Sequence, residues 1–221
     1  MAAFVQLLQI PLSGGIQANE PAWTSLIEKL RGANGLVKVL WATQHENSQV
    51  AGIAAIWKSL DAHKEWTASS DGIAFQNDLV SIASAPIHAD FVVFTGSVDV
   101  TLAAHAVELV SWIHPAANLT EAKEKAVEEG FAHFQTAISA EAPQSDGGLV
   151  AGWGQVEFEH KGVPSRRFTC LIGWKSVEAH YECKTTPVFT DNIHHLRDPQ
   201  AIGVEMVHYA FSESAQAGYR T

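Results

Sequence analysis

The side chains best able to do chemistry in this sequence are its histidines, and two of them share a signature. Ile56-Trp57-Lys58-Ser59-Leu60-Asp61-Ala62-His63 returns as Gly173-Trp174-Lys175-Ser176-Val177-Glu178-Ala179-His180, every position but the first keeping its chemical character. Imidazole titrates near neutral pH, so His63 and His180 are candidate catalytic proton acceptors, one in each copy. The alternative is a core or capping role inherited from one ancestral segment. Trp57 and Trp174 offer flat walls for an aromatic substrate, or packing beneath a helix. Trp66 and Phe189, less constrained by the internal match, are candidates for the same wall. His114 and His208 lie near the ends of strands expected to be neighbours. If their side chains share a face they form a polar centre, His208 as a further acid–base group and His114, Trp112 and Tyr209 against the substrate, with Ser111 nearby.

Other chemistries find no pattern. Eleven histidines invite a metal, but there is no His-Glu-x-x-His, no Cys-x-x-Cys and no histidine pair at ligand spacing with a carboxylate on one clear face. No metal is expected. Ser13-Gly14-Gly15 is too short for a phosphate loop, no Gly-x-Gly-x-x-Gly follows a strand, and no Gly-x-Ser-x-Gly elbow occurs. The expected cofactor complement is therefore none. His45, His133 and His194-His195 read as solvated residues of loops or helix surfaces. The Glu121–Glu129 cluster, with Lys123 and Lys125 among acids, reads as a solvated helix face.

The elements that must position these residues follow from the apolar pattern. Val5 to Leu12 reads as a strand. Asn19-Glu20-Pro21 opens a helix, with Asn19 as its cap and Trp23, Leu26, Ile27 and Leu30 on one face. Leu36 to Gln44 and Gln49 to Trp57 are strands joined by a polar turn. Ser59 caps the next helix, a helical stretch carries Phe75, Leu79 and Ile82, and Asp90 to Gly96 is a strand. The second half repeats this order. His105 to His114 is a strand; Asn118 and Glu121 have capping-box spacing before a helix carrying Val127, Phe131, Phe134 and Ile138. Gln144 to Gly148 is a loop. Leu149 to Glu159 and Ser165 to Trp174 pair across His160-Lys161-Gly162, Ser176 caps a helix, and Ile202 to Phe211 is the last strand. Gly218 to Thr221 reads as a frayed tail.

The fold class is α+β: two tandem βαββαβ units, residues 1–99 and 100–221, with Ser97 to Ala104 as linker. Strands apolar on both faces, such as Val107, Leu109 and Ile113 alternating with Ala106, Val110 and Trp112, need cover on both sides. Packing of one unit's sheet against the other's would supply it. The chain has 221 residues and is 47% hydrophobic, enough for a sizeable core. No apolar run is long enough to span a membrane, and Met1 to Gln6 lacks the pattern of a secretory leader, so a soluble cytoplasmic protein is expected. Cys170 and Cys183 read as reduced, buried thiols. A formal charge of −10 repels phosphate backbones and makes nucleic acid a poor partner.

This element order with Trp-x-Ser-x-Asp/Glu-Ala resembles the dimeric α/β-barrel superfamily, which includes the antibiotic-biosynthesis monooxygenase domains and the stress-responsive A/B barrel proteins. Trp174 to His180, leading to Thr186-Pro187-Val188-Phe189, is the nearer match; the first copy has Ser69-Ser70-Asp71 where Thr-Pro would fall. The resemblance implies two ferredoxin-like units in one chain in place of a homodimer, forming a pseudo-dimeric barrel, with pockets between sheet and helices. It also implies a monomer or weak homodimer. Family activities include cofactor-free oxygenation and cyclisation of polyketides, lactone isomerisation and haem degradation. The Tyr and His of the plant polyketide cyclases fall on Cys183 and Phe189, or on Trp66 and Gly72, so that mechanism is not carried over. The expectation is a cofactor-independent enzyme of secondary metabolism. It would act on a hydrophobic aromatic or polyketide-like molecule by cyclisation, elimination, isomerisation or oxygenation, with the second pocket favoured. The alternatives are a non-catalytic small-molecule-binding or stress-response protein and, third, a haem-handling protein.

Overall fold

The computed structural model describes residues 2–197 and 200–213; the expected frayed tail lies outside them. The chain divides into two units, Ala2–Val92 joined by the segment from Tyr209, and Val93–His208.

The first unit runs β1 (Ala2–Pro11), α1 (Gly15–Ala18), α2 (Glu20–Arg31), β2 (Leu36–Thr43), β3 (Val50–Trp57), α3 (Leu60–Thr67), α4 (Ser70–Ile82) and β4 (His88–Thr95), with sheet order β2-β3-β1-β4. β3 is antiparallel to both β1 and β2, and Trp57 stands opposite Phe4 and Leu36. Leu8 and Ile10 point to the helices, where Trp23, Leu26, Ile27 and Leu30 of α2 and Phe75 and Leu79 of α4 complete a core. Such side chains each contribute about 1.5–3 kcal/mol when fully buried, so this face holds the unit together. Ser59 caps α3 as expected, its Oγ accepting from the Ala62 amide. Asn19 does not cap α2. Its amide instead donates to the carbonyls of Ser13 and Gly15, fastening the turn before the helix. Residues 209–213 return to this unit, Ser212 pairing with Trp41. Gly52 is needed there, because a Cβ would lie 2.5 Å from the Tyr209 ring.

The second unit runs α5 (Val98–Leu102), β5 (Ala106–Pro115), a 3-10 turn (Ala116–Asn118), α6 (Glu121–Glu141), β6 (Ser145–Trp153), β7 (Phe158–His160), β8 (Val163–Trp174), α7 (Val177–Cys183), α8 (Pro187–Thr190), a 3-10 turn (Ile193–Leu196) and β9 (Gly203–Tyr209). The order is β6-β8-β5-β9, with β7 as an extra strand on β8. Lys161 and Gly162, at φ 50° and 81°, make the tight turn between β7 and β8. Four expectations need correction. The linker contains α5, and its Thr101 backbone lies against Gly148, leaving no room for a Cβ. The expected loop at 144–148 is instead the bulged start of β6, with the irregularity between Ser145 and Leu149. The strand expected over Leu149–Glu159 ends at Trp153, and β7 is separate. Thr120, not Asn118, caps α6, because the 3-10 turn moves the helix start along the chain. Ser176 caps α7 as expected.

Both units thus have the ferredoxin-like strand order, and the fold class is α+β with two such sheets. Both cysteines are free and buried. No helix among the described residues is long and apolar enough to cross a membrane.

Candidate functional site

β5 organises the chemistry of the second unit. Side chains alternate along a strand, and Ala106, Val110 and Trp112 lie in the core shared with α6. Glu108 and His114 therefore point to the same helix-covered face. The antiparallel register sets Trp174 opposite Ala106, Phe168 opposite Trp112 and Arg166 opposite His114. Two polar centres result, at either end of one row of side chains; Glu108 and His114, six residues apart, are separated by roughly 20 Å along the strand.

The first centre is buried. Glu108, His180 and His208 are 5%, 1% and 0% exposed. His180 Nδ1 lies 2.8 Å from His208 Nε2, a hydrogen bond in which one nitrogen carries the proton. His180 Nε2 lies 3.4 Å from Glu108 Oε2. The indole N–H of Trp174 donates to the same carboxylate oxygen at 2.9 Å. The His180 ring stacks on Trp174 at 4.9 Å and on Tyr181 at 5.4 Å, which fixes its orientation. One ligand atom from each of Glu108, His180 and His208 lies within 4.8 Å of the other two. Burial and then the Glu108 charge push the Cys170 thiol well above its ordinary range. Cys183 is pushed up by burial, with the Thr186 hydrogen bond opposing and the Glu108 charge adding. Both thiols stay protonated and are poor nucleophiles.

The second centre is a cavity of about 200 Å³. Its aromatic walls are Trp112 and Phe168, its imidazoles His114 and His195, and Lys123 and Arg197 supply cations. His114 is held edge-on to Trp153 at 5.2 Å. His195 reaches the cavity because the 3-10 turn closes onto α6 at Gly130, where a Cβ would lie 2.4 Å from the His195 carbonyl. His194 and His133 crowd the His195 ring at 4.0 and 5.1 Å. Desolvation first, then those two neighbours, lower its pKa, so it favours the neutral, proton-accepting form.

The first unit puts its counterpart residues to other use. Trp57 faces Phe4 as Trp174 faces Ala106, so Gln6 takes the place of Glu108. His63 lies edge-on to Trp57 at 4.9 Å and against Phe91 at 4.1 Å. Burial alone lowers its pKa to about 4. Trp66 packs between Trp57 and Phe75 at 5.3 and 5.1 Å.

The structure thus brings together His180, His208 and Trp174, and separately Trp112 and His114. It places Trp57, His63 and Trp66 in the first unit's aromatic core, Phe189 against Phe134, and Tyr209 with the first unit, its hydroxyl on Gln9 at 3.3 Å. Sequence reasoning missed Glu108, Phe168, His195, Arg197 and the cavity role of Lys123. A carboxylate inside a ten-residue apolar strand was the available signal for Glu108.

No protein-family model matches the sequence, and no curated protein matches it. Solved structures do resemble the chain along its length. An anthrone oxidase-like protein superposes with a TM-score of 0.69 at 11% identity, covering 95% of this chain and 91% of its own. A proposed monooxygenase from Lactobacillus acidophilus NCFM gives 0.57 at 12%, covering 96% and 94%. A proposed chlorite dismutase gives 0.59 at 10%, covering 96% and 95%. At such identities these likenesses establish a common fold, consistent with the two ferredoxin-like units seen here.

Proposed function

We propose that this protein is a small-molecule enzyme of the oxygenase-like, cofactor-independent kind, working on a planar aromatic substrate with an acidic group in the cavity of the second unit. The observation that carries the reading is the lining: two aromatic walls, two imidazoles and two cations around about 200 Å³. Ligand sites usually run to about 300–1,000 Å³, so the cavity suits a one- or two-ring compound or one end of a larger polyketide. In a chain of net charge −10, Lys123 and Arg197 give this cavity a local affinity for phenolate or carboxylate.

His114 or His195 removes a proton from an acidic C–H or O–H, and the cations stabilise the resulting anion. Cyclisation, isomerisation and reaction with dioxygen diverge from that anion. In the oxygenase case a ring CH2 becomes C=O, dioxygen supplying the carbonyl oxygen and leaving as water with the two hydrogens. The names of the fold relatives, anthrone oxidase-like and monooxygenase, support that branch. Descent of the two units from one duplicated ancestor fits their shared strand order and matched Trp-Lys-Ser segments.

The test is titration with 1-hydroxy-2-naphthoate followed by tryptophan fluorescence, with turnover of hydroxylated aromatics under air. Saturable binding is expected, weakened about 10–100-fold in Arg197→Ala. Turnover should fall at least about 100-fold in His114→Phe or His195→Phe. Binding without turnover of any such compound supports the non-catalytic alternative. Failure to bind contradicts the reading.

A further inference from the structure

We propose that Glu108, His180 and His208 form a binding site for a divalent transition-metal ion of the zinc class. Two imidazoles and one carboxylate are a ligand set that such ions take. Their candidate ligand atoms already lie within 4.8 Å of one another on three different elements, β5, α7 and β9. Zinc–nitrogen bonds of about 2.0–2.1 Å in tetrahedral geometry put two ligating nitrogens roughly 3.3 Å apart. His180 Nδ1 and His208 Nε2 stand at 2.8 Å, so the rings part by about half an ångström as the ion replaces their shared proton, and Glu108, which faces the other ring nitrogen of His180 at 3.4 Å, turns its carboxylate toward the ion.

The surroundings are those of a metal ligand set. A carboxylate has about four acceptor sites, so the Trp174 N–H can orient Glu108 without taking the ion's place. The aromatic rings of Trp174 and Tyr181 fix the His180 plane. All three ligands are almost fully buried, out of reach of a substrate, so the ion is assigned a structural part, tying the helix α7 to the sheet, with its fourth position left to a water or to the second carboxylate oxygen. The proposal stands independently of the cavity, whose lining residues it does not use.

Chelator-treated protein titrated with Zn²⁺ against a chromophoric competitor tests it. The wild type should bind one equivalent saturably and melt at a higher temperature once loaded. Glu108→Gln should bind at least about 100-fold more weakly, since loss of a direct ligand exceeds the 10–100-fold typical of outer contacts. His133→Ala/His194→Ala, which removes exposed histidines beside His195, should bind as the wild type does. Because Glu108→Gln can fail to fold, wild-type crystals soaked in Zn²⁺ give a second reading. An anomalous-difference peak about 2 Å from the three ligand atoms is expected. Absence of saturable binding, a peak elsewhere, or binding lost in the surface variant overturns the proposal.

Discussion

Gln6, Trp57, His63 and Phe91 in the first unit occupy the frame that Glu108, Trp174, His180 and His208 occupy in the second. The scaffold is shared: an indole at the end of β3 or β8, and a histidine one turn into the serine-capped helix that follows. The electrostatics are not. An amide in place of a carboxylate, and a phenyl ring in place of an imidazole, leave Gln6 Oε1, Trp57 Nε1 and His63 Nε2 buried without hydrogen-bond partners. In the second unit the indole and the imidazole both address Glu108. The matched histidines therefore carry unmatched properties, and internal sequence identity marks scaffold more strongly than chemistry.

The largest expected effect that probes this contrast is on pH dependence. His63 is held near pKa 4 in the fold against about 6.5 when unfolded, so the unfolded chain binds more protons between those values. Stability should be fully present above about pH 6.5 and fall by up to about 3 kcal/mol as pH drops toward 4. Denaturant titrations of wild type and His63→Phe across this range isolate the contribution, because the variant should lack that part of the slope. An identical slope would mean His63 titrates in the fold as it does in the unfolded chain.

Next in size is a matched pair of indole substitutions. Trp174→Phe removes a donor to a buried carboxylate and should destabilise by about 1.5–3 kcal/mol more than Trp57→Phe, whose N–H has no partner. Equal losses in urea unfolding would show that packing alone sets both values. A smaller and more specific effect is expected from Gln6→Glu, which gives His63 the carboxylate that His180 has. Its pKa, followed by NMR of the imidazole, should rise from about 4, because a nearby negative charge favours the protonated ring. A value that stays put would place Gln6 too far from His63 for the correspondence to hold. The smallest effect is at the surface: Lys29→Ala, breaking the exposed pair with Asp78 in the first unit, should cost less than about 1 kcal/mol.

Much of the scaffold was legible because local rules acted alone. Ser59 and Ser176 cap their helices, the α2 and α6 faces carry the expected apolar residues, and both βαββαβ orders follow from periodicity. The failures came where a neighbour outvoted the local signal. Thr120 took the cap because a 3-10 turn used up Ala116–Asn118. The glycine pair at 147–148 read as a loop, yet supplies the positive-φ bulge that lets α5 approach β6. The site was half legible. His180 and His208 were named, but Glu108 disappeared into an alternation counted only in apolar residues. His195 and Lys123 look like surface residues in one dimension; the turn at Ile193–Leu196 folds onto α6 and makes them cavity walls.

The most direct test of the central claim is a crystal structure of the protein soaked with 1-hydroxy-2-naphthoate. Density lying over Trp112 and Phe168, with the carboxylate toward Lys123 and Arg197 and a hydrogen-bonding contact to His114 or His195, is the predicted result. Ligand seated in the aromatic core around His63, or a cavity still empty at saturating concentration, would contradict the assignment of the chemistry to the second unit.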